Sequence, residues 1–86
     1  MFNLPEEKIT TLKNLFGDKD FDVIIASLKK ISEQYSKESI TDVDNIVQTL
    51  EMKIPGIDLR YRELTSSIDE PLERLKLLAY IIRSIL

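Results

Sequence analysis

Cysteine and histidine are absent from this chain, glycine occurs twice and proline three times. Without cysteine there is no disulfide, and without either residue there is no zinc clip of the usual kind, so the fold rests on helix packing or on a partner. The same absences remove the thiol nucleophile and the imidazole base, and two glycines cannot build a Gly-rich phosphate loop. Only carboxylates, lysines, arginines, tyrosines and hydroxyls are left for chemistry. No pattern of acids suggests a buried pair with separated pKa values, so the expectation is a protein that is not an enzyme and takes no cofactor or metal.

Long hydrophobic runs are also missing. The opening Met1-Phe2-Asn3-Leu4-Pro5-Glu6-Glu7 has neither a basic nor an apolar leader region, and no segment reaches the length of a bilayer span. Small secreted domains usually rely on disulfides, so the expected location is cytoplasmic. Positive charge is not in excess either: the net charge is -3, which disfavours a general nucleic-acid binder.

What the chain does have is a globular balance, 43% apolar and 31% charged residues, in a length of 86 that supports one core. Residues 1–86 are therefore expected to form a single helical domain. Apolar residues recur at helical spacing, and the glycines and prolines fall between the repeats. The spacing predicts helices over about 5–16, 18–35, 41–53, 57–67 and 70–85, and no alternating strand pattern competes. Pro5 opens the first, Gly17 ends it, and Asp18 is the expected N-cap of the second. Thr41 and Asp44 resemble a capping box for the third, Pro55-Gly56 closes it, and Asp69 with Pro71 starts the last. The predicted fold is all-α, a bundle of four to five short antiparallel helices.

Three constellations invite a functional reading. In the last segment Leu72, Leu75, Leu78, Ala79, Ile82, Ile85 and Leu86 share one face, and Leu77, Tyr80 and Ile81 fall opposite. Either this helix runs through the middle of the bundle, buried nearly all round, or Leu77, Tyr80 and Ile81 form an exposed strip beside Arg74, Lys76 and Arg83 that docks a partner. Asp18, Asp20 and Asp22 have the opening spacing of a calcium loop, but Val23 stands where its glycine belongs and Lys29 where its bidentate glutamate belongs; first-turn acids of a helix explain them better. Segments three and four, joined by Lys53-Ile54-Pro55-Gly56, have the form of a helix-turn-helix that would offer Arg60, Tyr61, Arg62, Thr65 and Ser66 to a DNA groove.

Five short helices with prolines near both ends, at Leu4-Pro5 and Glu70-Pro71, and a hydrophobic closing helix resemble the saposin-like arrangement. That resemblance implies peripheral lipid binding. The use of Ile, Lys and Glu without Cys and with few Asn or Gln resembles that of small proteins of thermophilic archaea. The leading expectation is a protein-protein interaction module or small accessory subunit that presents Leu77, Tyr80 and Ile81 beside Arg74 and Arg83, to a partner protein or to a second copy. Lipid-surface binding through the same strip is the first alternative, and DNA binding through segment four the second.

Overall fold

A computed structural model describes residues 3–86. Its elements are four helices, α1 (Glu6–Glu33), α2 (Ser39–Glu51), α3 (Ile57–Thr65) and α4 (Pro71–Ile85), and among the described residues there is no strand. The first two expected helices are joined across a kink. Gly17 lies at φ 81°, ψ 160°, a conformation reserved in practice for glycine, so the backbone changes direction there without leaving a loop. Asp18 does not cap the second half; its carboxylate reaches Lys13 at 3.9 Å. The helix also ends earlier than expected, leaving Tyr35 outside it and exposed.

The start of α2 departs from the capping-box expectation. The Ser36 amide donates to the Ser39 hydroxyl at 2.9 Å, and the Ser36 hydroxyl donates to Glu38 at 2.8 Å, which holds that carboxyl below its usual range. These bonds define a turn that starts the helix at Ser39, ahead of Thr41, and free Asp44 for tertiary contacts. At the other end Gly56, at φ 95°, makes the left-handed turn into α3 and has no side chain with which to cap it. Glu51 supplies the acceptor instead. Its carboxylate takes the Gly56 amide at 2.7 and 3.1 Å and the Asp58 amide at 3.2 Å, placing negative charge at the α3 N-terminus. In α4 the cap is Glu70, not Asp69: Glu70 is extended and accepts the Glu73 amide at 3.0 Å, with Pro71 in the first helical turn.

Helices α2 and α4 pack on each other and each packs on both remaining helices, whereas α1 and α3 have no contact with one another among the described residues. Val43, Val47 and Leu50 of α2 and Leu75, Leu78, Ile81 and Ile82 of α4 are fully or almost fully buried, and Leu12 and Leu28 of α1 and Ile57 and Tyr61 of α3 close over them. The Cα radius of gyration, 11.8 Å, matches the roughly 12 Å of a well-packed chain of this length, so the four helices share one core.

Candidate interaction surfaces

The two arcs of apolar residues on α4 are explained by its central place. Leu75, Leu78, Ala79 and Ile82 are buried as one core face, and Ile81 is fully buried as well because a second side of the helix is also covered. Leu77 is half-buried. Of the three expected strip residues only Tyr80 is well exposed, at 49%. The expectation that Leu77, Tyr80 and Ile81 form one open strip is therefore corrected: Ile81 lies about 100° round the helix from Tyr80 and falls on the packed side. The solvent face of α4 instead carries Glu73, Lys76, Tyr80, Arg83 and Ser84, with Lys76 and Glu73 paired at 3.2 Å. Arg83 is exposed and its guanidinium donates to the Asn3 carbonyl at 3.3 Å.

Arg74 is not beside an open strip either. Its side chain is only 16% exposed, its Nε donates to the Ile68 carbonyl at 2.6 Å, and its Nη1 meets Asp44 Oδ1 at 3.3 Å. The Tyr61 hydroxyl donates to the same Asp44 oxygen at 2.9 Å. One carboxylate on α2 thus ties down a phenol on α3 and a guanidinium on α4. Burial, and then the bond to Asp44, push the Tyr61 phenol up to about 12. Such a phenol is a hydrogen-bond donor at neutral pH and neither a base nor a nucleophile. This trio forms the wall of a polar cleft of about 440 Å³ whose rim includes Gln48, Asp58 and Arg62. The rim groups satisfy one another: Gln48 donates to Asp58 at 3.0 Å and Arg62 donates to the same oxygen at 3.1 Å. Among the described residues no buried side-chain polar atom lacks a partner.

The same contacts revise the helix-turn-helix expectation. Arg60 and Ser66 are exposed, but Tyr61 and Thr65 are buried, Thr65 donating to the Tyr61 carbonyl of its own helix. Arg62 is exposed yet held by Asp58. The face of α3 that carries Tyr61 and Thr65 is its core face, so these two residues cannot reach base edges. Asp18, Asp20 and Asp22 are all exposed, and among the described residues no group of three or more acids is gathered in cation-binding geometry.

A second groove, of about 390 Å³, runs between the second half of α1 and α2. Its floor is Ile24, Ile31 and Ile46, which belong to the core. Its α1 wall is Asp20, Val23, Ser27 and Lys30, and its α2 wall includes Asp42, Asn45 and Thr49. Val23 is 62% exposed and stands at the lip. The sequence carried a faint sign of this groove. Asp20, Val23, Ser27 and Lys30 follow an i, i+3, i+7, i+10 line directly beside the buried Ile24, Leu28 and Ile31 line, which widens the apolar arc of α1 at one point only. No described helix is long and apolar enough to cross a membrane. No protein-family model, curated protein or solved structure matches the chain.

Proposed function

We propose that this chain is a non-catalytic protein-interaction module that docks through the groove between α1 and α2. The observation that carries this reading is the open groove itself, where three core isoleucines, Ile24, Ile31 and Ile46, line a floor edged by the exposed Val23 and by polar side chains. An apolar floor with a polar rim is the usual anatomy of a protein-binding surface. The α4 strip, which the sequence favoured for this role, loses Ile81 to the core, and with it the apolar width that lipid binding through the same strip would need. The lack of His and Cys and the mutual satisfaction of the Asp44, Tyr61 and Arg74 groups support a module without chemistry of its own.

The test is site-specific photo-crosslinking in extract of the native cells, with the reactive side chain placed at Val23 in one variant and at Tyr80 in another. A discrete crosslinked protein from position 23, with none from position 80, is the expected result. Crosslinks from position 80 alone, or from neither, overturn the assignment of the groove.

A further inference from the structure

Resting on the groove as the docking surface, we infer that its occupant is a second copy of this chain, placed antiparallel with α1 lying in the groove of its twin. The argument is the order of side chains on the α1 wall. Asp20, Val23, Ser27 and Lys30 are spaced three, four and three residues apart, the pattern by which one helix meets another along a seam. In an antiparallel pair with its two-fold axis at residue 25, each position faces the one whose number completes fifty. Asp20 then faces Lys30 of the second copy, and Val23 faces Ser27, at both ends of the same seam.

The charges therefore match under rotation, and Val23, the exposed apolar side chain of this wall, meets the small residue that leaves room for it. A parallel pair would set Asp20 against Asp20 and Lys30 against Lys30. Neither Asp20 nor Lys30 has an ion-pair partner within the described chain, in contrast to Asp58, Arg62, Arg74 and Lys76. Asp20 and Lys30 are about 15 Å apart along the helix. That is enough for both end pairs to form while Val23 drops toward the Ile24, Ile31 and Ile46 floor of the other copy. Five residues, 34–38, connect α1 to α2, and Asp42, near the start of α2, lines the same groove as Lys30. Isologous contacts of this kind close on themselves and stop at two copies.

Charge reversal tests the seam without touching the core, because Asp20 and Lys30 are both exposed. Sedimentation of the wild type at concentrations up to about 1 mM should show a monomer–dimer equilibrium that weakens with added salt. Asp20→Lys and Lys30→Asp should each weaken the dimer by at least about tenfold, since each sets like charges face to face at both ends. Mixing the two single variants should restore dimers as a one-to-one heterodimer, and the doubly reversed chain should dimerise with itself. Circular dichroism of each variant verifies that the helices are intact.

A wild type that is monomeric throughout, or single reversals that neither weaken the homodimer nor rescue one another, overturns the second copy as occupant. The groove reading is judged apart from this. If position 23 crosslinks to a different protein while the chain sediments as a monomer, the groove stands and the second copy falls; if the chain is a monomer and position 23 crosslinks to nothing, both fall.

Discussion

At the scale of single residues, the largest consequences attach to side chains whose surroundings the sequence hides. Ile81 is the clearest, because a glutamate there would place a carboxylate in a fully buried site with no partner. Ile81→Glu is expected to abolish the cooperative unfolding transition, whereas Tyr80→Glu, one residue earlier on the solvent face, should change stability by no more than about 0.5 kcal/mol. Thermal melts followed by circular dichroism decide this, and equal tolerance of both substitutions would contradict the burial of Ile81. Tyr61 gives a pH dependence with a defined sign. Its phenol keeps its proton up to about 12 in the folded chain and loses it near its ordinary value of 10.0 when unfolded. The folded state therefore holds the extra proton between these limits, and the stabilisation is complete below pH 10 and lost as the pH rises toward 12. Urea titrations at increasing pH should show this fall, Tyr61→Phe should reduce it, and at neutral pH the same substitution should cost about 1 kcal/mol for the lost bond to Asp44.

Among the elements, the joints carry the information. Gly17 holds a conformation that costs any other residue about 1–3 kcal/mol. A Cβ there would meet nothing within 4 Å, so Gly17→Ala should destabilise by that backbone cost alone, with no added crowding. Chemical denaturation measures it; an unchanged midpoint would mean that α1 straightens freely through the kink. The α2–α3 corner depends on Glu51, whose carboxylate takes two amides that α3 cannot satisfy itself. Glu51→Ala should cost about 0.5–2 kcal/mol, in the range of other helix caps, and amide exchange should quicken at Gly56 and Asp58 before it does in α4.

The contrast between these two joints shows how much of the element plan was legible. The break at Gly17, the Pro55-Gly56 corner and the Pro71 start were readable because glycine and proline act through their own backbone. The caps were misplaced. Asp18, Thr41 with Asp44, and Asp69 all have the right chemistry, but the carboxylates that take helix-start amides are those of Glu51 and Glu70, and α2 begins after a turn in which Ser36 donates to Ser39. Which nearby oxygen reaches an amide depends on the path of the turn, and the turn is set by how the flanking helices pack.

For the whole molecule, α2 and α4 form the centre, each in contact with three neighbours, and no helix has a core of its own. Unfolding is therefore expected to be a single transition, with far-ultraviolet helicity and the near-ultraviolet tyrosine signal lost together. Separate midpoints would show that α1 or α3 leaves the centre independently. Leu78→Ala, which removes a fully buried side chain from α4, should lower stability by about 2–5 kcal/mol.

The helical class, the breaks between segments and the absence of disulfide chemistry were already contained in the order and kind of the residues, since each follows from local backbone preference or from the side chains available. The role of α4 was not. Two apolar arcs on one helix are compatible with a central position or with an exposed strip, and only the arrival of other helices on both sides settles which arc meets water. Asp44 is the same case in polar form: its place three residues after Thr41 says nothing of Tyr61 and Arg74, which come from seventeen and thirty residues further along. Local periodicity specifies which face of a helix is apolar; the number of neighbours that cover it belongs to the packing.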